Sequence, residues 1–426
     1  MYGKQKTLLF FSLAVTCIGI VACALPTNDR GNSQSETLPN VTRLKPLMHK
    51  GKPFFPIGAY ERTRPATGRG FVPLSTLRNA GWNTILFYAG DDVGQYLDEA
   101  EEEGFAVILS VEKLVKEQKQ TELHKGIEKV KDHRALLGYY IFDEPENVYY
   151  NSKEYKSILA SRNNDDLKEL SYFINSKIGW AKPLIRNADP NPEHYIFMCI
   201  AWWNQYRKLS SLCDINMPNE YPTKNTTSEF EGSQARIVYD AKLAAKAAYE
   251  SGGMGFCYTP FAVNIGLENH RYPTVNEFRY SAFAPITQGA MGIVFWAGYR
   301  CKLPYAERVV FPVTRRLNSL KQFFLGDWLD EKLRCESSET ATALLEKLEL
   351  PVVSGCLRQH DDGRYLLLAV NNTAKLISAT FHVDVNSLPN QAQEYIKGDK
   401  VAINNGVIED KMDPYGVCAY IIGHAN

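Results

Sequence analysis

Short apolar runs alternate with amphipathic stretches over most of the chain. Several runs are apolar at every position, which is typical of strands that are covered on both faces. Helical periodicity separates them, for example over residues 165–176 and 239–250. Strands that alternate with helices predict a parallel sheet with right-handed crossovers. The eight predicted strands are Phe54 to Tyr60, Thr84 to Tyr88, Ala106 to Val111, Gly138 to Phe142, Tyr195 to Ala201, Asp214 to Met217, Gly255 to Tyr258 and Gly292 to Trp296.

The helix ends carry signals of their own. Ser75 predicts an N-cap ahead of Leu77, and Thr274 with Glu277 has the spacing of a capping box. Pro285 predicts a kink in the helix that begins there. Eight strand and helix repeats predict an α/β fold, a TIM (β/α)8 barrel, over residues 43–325.

Beyond residue 325 the pattern changes to strands that have no helix between them. This pattern predicts a small antiparallel β-sandwich domain over residues 326–426. Its favoured role is to support the barrel, because a fold does not imply a function, and carbohydrate binding remains the alternative. The predicted strands are Val352 to Leu357, Tyr365 to Val370, Ser378 to Val383, Gln393 to Ile396 and Gly416 to Ile422.

Residues 1–23 resemble a signal peptide. Lys4 and Lys6 precede an apolar run that is too short for a comfortable membrane span. The run ends in Ile-Val-Ala-Cys, which resembles the bacterial lipobox, so Cys23 is predicted to be lipidated. Ordinary cleavage at the small residues around Cys23 is the alternative. We therefore expect an exported protein, either a cell-envelope lipoprotein whose lipid anchor alone contacts the membrane, or a secreted or periplasmic protein. Residues 24–42 have few bulky apolar side chains and predict a flexible tether.

Charge and motifs exclude several classes of function. The 48 basic and 48 acidic residues cancel, so the chain has no net field that would attract nucleic acid, and a neutral substrate fits better. The seven cysteines after the leader show no C-x-x-C spacing, and their apolar surroundings predict buried thiols. The sequence lacks a phosphate-binding loop, an H-E-x-x-H pair and a G-x-S-x-G elbow, and it implies neither a metal nor another cofactor.

The end of the fourth predicted strand carries the clearest chemical signal. An apolar run leads directly into Asp143, Glu144, Pro145 and Glu146. Reactive groups of a (β/α)8 barrel lie at the carboxyl ends of its strands. A partly desolvated carboxyl with a raised pKa can protonate a departing sugar oxygen near neutral pH. Glu144 is the candidate acid, Asp143 is expected to orient a neighbour or to accept backbone amides, and Pro145 predicts an extended backbone at Glu144.

The sequence resembles the barrel glycoside hydrolases in several segments. These are HRALLGYYIFDEPE at residues 133–146, Asn-Glu-Tyr-Pro at 219–222, the region from Tyr272 to Trp296, and the β tail. In that clan the glutamate before the proline at the end of the fourth strand is the acid/base. The resemblance therefore implies this role for Glu144, and Asp143 stands where the family more often has asparagine.

The seventh strand departs from the family pattern. Retaining members carry a nucleophilic glutamate there, whereas residues 255–261 contain no acid. Glu220, Glu268, Glu61 and Glu112 follow other strands and are candidates for a second carboxylate, although Glu220 and Glu268 are also explained as ordinary loop acids. A partner about 5 Å from the acid implies retention of configuration, and one about 6.5–9.5 Å away implies inversion.

Aromatic residues also end or follow the predicted strands. At this rim a ring can present its face to a sugar, and Trp296 is the foremost candidate platform. Trp202 and Trp203 cannot both point inward if their strand continues, so one of them is expected to pack. Three arginines after the first strand, Arg62, Arg64 and Arg69, are explained by an exposed loop, with an acidic-sugar clamp as the alternative. The candidate sugar-binding residues are Tyr60, Tyr88, Trp202, Tyr221, Tyr258 and Trp296.

The sequence is therefore compatible with two alternative functions. The first is a glycosidase that cleaves an oligo- or polysaccharide with Glu144 as general acid/base. The second is a carbohydrate-binding surface lipoprotein that kept the barrel and its aromatic residues but lost the catalytic pair, as the acid-free seventh strand permits.

Overall fold

The computed structural model describes residues 44–60, 72–88, 92–161, 166–222, 232–251, 255–262, 271–296 and 301–423. Predictions for the leader, Cys23, the tether, Glu61, the three arginines after the first strand and Glu268 lie outside these residues. Within them, no helix has the length and apolar character needed to cross a bilayer.

Eight parallel strands form the main sheet, in the order β10-β3-β4-β5-β6-β7-β8-β9. Chain order and spatial order agree, as expected when each strand is followed by a crossover to its neighbour. Isolated bridges join Tyr258 to Ile293 and Phe261 to Trp296, so the seventh and eighth strands also meet and the sheet closes. The strands are β3 (Ile57–Tyr60), β4 (Thr84–Tyr88), β5 (Ala106–Ser110), β6 (Leu136–Asp143), β7 (Tyr195–Cys199), β8 (Ile215–Asn216), β9 (Gly255–Phe256) and β10 (Ile293–Phe295).

Helices surround these strands, and a short hairpin of β1 (Leu47–His49) and β2 (Lys52–Phe54) precedes them. The helices bury one face against the sheet; in the helix over 166–178, for example, Leu170 and Ile174 are fully buried. The described helices are α1 (Leu74–Asn79), α2 (Val93–Glu102), α3 (Glu112–Lys116), α4 (Gln120–Val130), α5 (Pro145–Tyr150), α6 (Lys153–Ser161), α7 (Asp166–Ile178), α8 (Ala181–Ala188), α9 (Tyr206–Leu209), α10 (Ala235–Glu250), α11 (Val275–Phe283), α12 (Leu303–Tyr305), α13 (Phe311–Leu325) and α14 (Ala343–Lys347).

One of the three helix-end predictions is confirmed, one is wrong, and at Pro285 the structure shows a change of helix type in place of the predicted kink. Thr274 and Glu277 form the predicted capping box at the start of α11. Helix α11 ends at Phe283 and continues as a 3-10 helix from Ala284 that contains Pro285, because a proline cannot continue the α-helical hydrogen bonds. The prediction for Ser75 is wrong: the N-cap of α1 is Pro73, two residues earlier, and it makes no side-chain capping bond.

The strand contacts of β6 depend on a glycine. A Cβ atom at Gly138 would lie 2.0 Å from the carbonyl oxygen of Tyr195 in β7, so a side chain there would separate the two strands. Gly138 also has a positive φ of 156°. Glycine at this position therefore allows β6 to pair with β7 and carry its carboxyl end to the barrel mouth.

The chain after α13 forms two antiparallel sheets, which confirms a barrel followed by a β-sandwich. Phe381 and Tyr420, from different sheets, are fully buried with ring centroids 5.7 Å apart, so the sheets share one core. Sequence analysis missed four of the strands. One sheet has the order β11-β13-β14-β19-β16-β17 and the other β12-β15-β18, with β11 (Asp327–Trp328), β12 (Leu333–Ser337), β13 (Val353–Gln359), β14 (Tyr365–Asn371), β15 (Ile377–Val383), β16 (Gln391–Glu394), β17 (Lys400–Ala402), β18 (Val407–Met412) and β19 (Val417–Ile422).

The sandwich packs against the outer helices of the barrel. The Tyr280 hydroxyl on α11 donates a hydrogen bond to Asn372 Oδ1 after β14, at 2.7 Å and out of contact with water. Trp328 of β11 packs against Gly289, which follows the 3-10 helix. A tight contact of this kind predicts that the two parts stabilise each other.

The seven cysteines outside the leader are all free thiols. Five of them are buried, as the apolar surroundings predicted, and two are half-buried. The buried thiols are Cys199, Cys213, Cys257, Cys356 and Cys418, and the half-buried ones are Cys301 and Cys335.

Candidate active site

Glu144 occupies an unusual backbone position at the end of β6. It is the N-cap of α5 and lies in the left-handed region, with φ 49° and ψ 60°. The extended conformation predicted from Pro145 is therefore wrong. The Glu144 amide donates to the Cys199 carbonyl at 3.1 Å, and the Glu144 carbonyl accepts from Asn147 and Val148, so hydrogen bonds on both sides hold the residue there. Strained backbone of this kind is common at functional sites.

Two side-chain amides hold the Glu144 carboxylate. Asn147 Nδ2, one turn along α5, donates to Oε2 at 2.7 Å. Asn219 Nδ2, in the loop after β8, donates to Oε1 at 2.6 Å. The side chain is half-buried, and no lysine, arginine or histidine among the described residues forms an ion pair with it. The acid is thus oriented by neutral groups and keeps contact with solvent.

Trp202 is tied to the same helix by two bonds. Its indole Nε1 donates to Asn147 Oδ1 at 2.7 Å, and its backbone amide donates to Glu146 Oε1, also at 2.7 Å. Glu146 is fully buried, and burial raises its pKa to about 8. Sequence analysis did not select Glu146 or Asn147 as site residues. Their position directly after the acids at the end of β6 is the sequence feature that could have identified them.

Trp202 and Trp203 do not continue a strand, because β7 ends at Cys199. Trp202 is half-buried and packs edge-on against Tyr150, with ring centroids 5.2 Å apart. Trp203 is 40% exposed and lies beside Tyr239 of α10. The two rings therefore have different surroundings, and Trp202 is the one connected to Glu144.

The Asp143 carboxylate accepts a hydrogen bond from one of two buried tyrosines that contact each other. The Tyr140 hydroxyl donates to Asp143 Oδ1 at 2.6 Å, and the Tyr60 hydroxyl lies 2.9 Å from that of Tyr140. Removal from water, followed by the nearby charges of Glu144 and Glu112, raises the pKa of Asp143 to about 7. This carboxyl therefore carries a proton for much of the time near neutral pH.

Glu112, the first residue of α3 after the neighbouring strand β5, supports the end of β6. Its Oε1 accepts the Asp143 backbone amide at 3.0 Å and lies 2.6 Å from Lys116 Nζ. The side chain is nearly buried. Glu112 is thus engaged in holding Asp143 in place, and its carboxylate is compensated by a cation.

Three aromatic rings pack together, one from the segment after β9, one directly after β10 and one from the loop after β8. Phe261 and Trp296 are nearly parallel with centroids 5.7 Å apart, and Tyr221 lies 4.8 Å from Phe261 and 5.8 Å from Trp296. We call these residues the aromatic cluster. The Tyr221 hydroxyl accepts from Asn219 Nδ2 at 3.0 Å, so one amide joins the cluster to Glu144.

The remaining predicted aromatic residues lie deeper or apart. Tyr60 is 1% exposed and Tyr258 is fully buried, so neither ring offers a face to solvent in this structure. Tyr88 is half-buried at the end of β4. Phe261, which sequence analysis did not select, takes the place beside Trp296.

The Glu220 carboxylate forms an ion pair with an arginine of helix α10. Its Oε2 is 2.6 Å from Arg236 of α10, and its Oε1 accepts the Tyr221 backbone amide at 3.1 Å. Nearby Asp240 accepts a hydrogen bond from the Tyr206 hydroxyl, and burial raises the pKa of Asp240 to about 7. Among the residues the structure describes, no cluster of three or more His, Cys, Asp or Glu side chains is suited to a metal.

No protein-family model matches the sequence, and no curated protein is significantly similar to it. Solved structures do match. A β-galactosidase from a Rahnella species aligns with a TM-score of 0.56 at 9% identity, covering 89% of this chain and 100% of that one. A family 42 β-galactosidase from G. stearothermophilus gives 0.55 at 10% identity, covering 86% and 98%. A glycoside hydrolase family 5 structure from Bacteroides vulgatus gives 0.54 at 12% identity, covering 90% and 93%.

The chain has the fold of barrel glycoside hydrolases. The resemblance noted in the sequence is confirmed at the level of the fold. At such low identity the match does not extend to individual residues, so the roles of Glu144 and its neighbours depend on the geometry described above.

Proposed function

We propose that this protein hydrolyses O-glycosidic bonds in an oligo- or polysaccharide, with Glu144 as the general acid/base. The observation that carries the proposal is the setting of Glu144: a solvent-accessible carboxyl at the end of the fourth barrel strand, oriented by two amides and joined through Asn219 to the aromatic cluster. A glycosidase needs both a positioned acid and an apolar face for the sugar ring.

The reaction assigns two proton transfers to Glu144, one to the leaving oxygen and one from water. The protonated carboxyl gives its proton to the glycosidic oxygen while the bond between that oxygen and the anomeric carbon breaks, and the electron pair of the bond stays with the leaving oxygen. Glu144 is then a carboxylate and accepts a proton from the water that completes hydrolysis. We assign Trp296, which is half-buried after β10, as the ring against which the sugar packs.

The second carboxylate is the open part of the mechanism. Glu220 and Glu112 remain candidates, and each lies 2.6 Å from a cation, Arg236 and Lys116 respectively. Asp143 is adjacent to Glu144, and Glu268 and Glu61 remain candidates outside the described residues. Because the chain has no acid in residues 255–261, a binding protein without turnover is the competing function.

A panel of glycans tests the proposal on purified mature protein. We expect the parent to release reducing sugar from at least one glycan, and Glu144→Gln to do so about 100-fold or more slowly, because a positioned acid contributes about that much. Glu122→Gln, an exposed acid on α4, is the matched control and retains parental turnover. Equal turnover by the Glu144 variant would remove this residue from the mechanism. Binding of a glycan by the parent without any turnover would instead establish the binding function.

We also propose that the protein is exported and anchored by a lipid on Cys23. The lipobox-like end of the leader and the tether-like composition of residues 24–42 support this location. A barrel on such a tether would meet glycans outside the cytoplasm while remaining attached to its membrane.

A further inference from the structure

The two amides that hold Glu144 differ in their freedom to turn. Asn147 is fixed, because the indole Nε1 of Trp202 can only donate and therefore requires the Asn147 oxygen. Asn147 Nδ2 is then obliged to face Glu144 Oε2, at 2.7 Å. Asn147 thus always presents a donor, which stabilises the carboxylate form of Glu144.

Asn219 has no comparable constraint. Its Nδ2 faces Glu144 Oε1 at 2.6 Å and the Tyr221 hydroxyl at 3.0 Å, and a hydroxyl can either accept or donate. Burial raises the pKa of Tyr221 well above its ordinary value, so this hydroxyl keeps its proton. At the other end, Asn219 Oδ1 is buried and has no hydrogen-bond partner among the described residues.

The opposite orientation of Asn219 fits the protonated acid. The two ends of an amide have nearly the same shape, so the side chain can turn over in place. Its oxygen would then accept hydrogens from a protonated Glu144 and from Tyr221. The 2.6 Å separation from Glu144 suits an O–H···O bond and is shorter than most N–H···O bonds.

We propose that Asn219 turns over when Glu144 gains or loses its proton, and so supplies a hydrogen-bond partner for both forms of the acid. This inference rests on the proposed function, because only a residue that alternates between acid and base needs both partners. Asn219 is then a positioning residue. After Glu144 gives its proton to the leaving oxygen, Asn219 turns its nitrogen toward the new carboxylate, and it turns back when the proton returns.

Other titratable groups near Glu144 belong to each neighbouring element. Asp143 precedes it in β6, and Glu146 follows it in α5. Cys199 approaches from β7 and Tyr221 from the loop after β8. Asp143 and Glu146 are the neighbours whose titration can be mistaken for that of Glu144, so the measurement needs a signal assigned to Glu144 alone.

The test compares two leucine variants that each remove one amide. The carboxyl carbon of Glu144 is followed by NMR against pH in protein labelled at the glutamate side-chain carboxyl, and Glu144→Gln assigns the signal. We expect Asn147→Leu to move the titration midpoint up by about one pH unit, because a donor to the carboxylate is lost. We expect Asn219→Leu to move the titration midpoint by less than about half a pH unit, because the protonated and the ionised form of Glu144 each lose one hydrogen-bond partner.

Three results would overturn the proposal. An equal upward shift in both variants would make Asn219 a fixed donor, and a downward shift for Asn219→Leu would make it a fixed acceptor. Absence of a shift for Asn147→Leu would show that the fixed amide does not act on the carboxylate. None of these measurements requires turnover, so they remain decisive even if the glycan panel shows that the protein is not a hydrolase.

Neutron diffraction from crystals of the deuterated parent gives a second measurement that needs no variant. At a pH below the Glu144 midpoint we expect the Asn219 oxygen to face Glu144, and above it the nitrogen with its two deuterium atoms. Asn147 should keep one orientation at both pH values. The same orientation of Asn219 at both pH values would contradict the proposal.

Discussion

Asp143 accepts a 2.6 Å hydrogen bond from the hydroxyl of Tyr140, the residue three positions before it in the same strand. The bond turns the Asp143 carboxyl toward the interior of the barrel, where Tyr140 is fully buried. The carboxylate of Glu144 instead accepts hydrogen bonds from the side-chain amides of Asn147 and Asn219. Two adjacent acids at one strand end thus have different surroundings: Asp143 contacts a buried tyrosine, whereas Glu144 contacts two side-chain amides.

Asp143→Asn should change how the stability of the protein depends on pH. The pKa of Asp143 is raised from an ordinary 3.8 to about 7 in the fold, so ionisation favours the unfolded chain. This contribution to stability is complete below about pH 4 and is lost as the pH rises to about 7. Relative to the parent, Asp143→Asn should gain roughly 3–4 kcal/mol in unfolding free energy between those values, because the pKa shift of about three units corresponds to about 1.4 kcal/mol per unit.

Urea unfolding at several pH values measures this difference. Asp361→Asn, which changes an exposed acid in the turn between β13 and β14, is the control and should parallel the parent. A constant difference between Asp143→Asn and the parent from pH 4 to 8 would show that Asp143 ionises normally in the fold.

Replacement of Trp296 should weaken sugar binding. Its ring lies parallel to Phe261 in the aromatic cluster, and loss of this platform removes apolar contact with a sugar. We expect Trp296→Ala to raise KM or Kd by about tenfold with a smaller effect on kcat. Trp203→Ala, an exposed tryptophan that packs on Tyr239, is the matched control. Equal effects of the two changes would argue against the cluster as the sugar platform.

Tyr280→Phe should destabilise the protein without affecting its chemistry. The change removes the donor to Asn372 Oδ1, a buried acceptor between barrel and sandwich. The expected loss is about 1–2 kcal/mol in unfolding free energy, measured by chemical denaturation. Tyr249→Phe, on an exposed ring of α10, should be neutral. If Tyr280→Phe is also neutral, the contact does not contribute to stability.

Cys23→Ser should release the protein from the membrane. A lipobox cysteine is the site of acylation, so its loss removes the anchor. Expression in a bacterial host with labelled palmitate, followed by fractionation, measures both effects. We expect the label and the membrane association in the parent alone. An unlabelled parent that is released after cleavage would support ordinary secretion.

The barrel could be predicted from the sequence because its signal is repeated. Each buried strand is a short apolar run, and each is followed by a periodic helix, so the eight strands were found even though β8 and β9 are only two residues long. The missed sandwich strands, such as β12 and β18, are short, have few or no buried residues and carry several charged side chains, so little in their sequences distinguishes them from loops.

The site was predictable only in part. Glu144 follows an apolar strand, so its position at the barrel mouth follows from local sequence. Its partner Asn219 is 75 residues away, and only the closure of the barrel brings the two together. The pairing of Glu220 with Arg236 likewise joins a loop to a helix, and the chain pattern does not encode it. Local sequence patterns predict helices and strands. Which acidic side chains form ion pairs is decided by tertiary contacts.

The most direct test of the acid role of Glu144 is the dependence of Glu144→Ala on the leaving group. Two aryl glycosides of the same hydrolysed sugar are compared, one with a good leaving group and one with a poor leaving group that needs a proton. We predict that Glu144→Ala lowers kcat/KM for the poor leaving group by about 100-fold or more and affects the good one much less. Equal losses for both substrates would contradict the assignment of Glu144 as the proton donor.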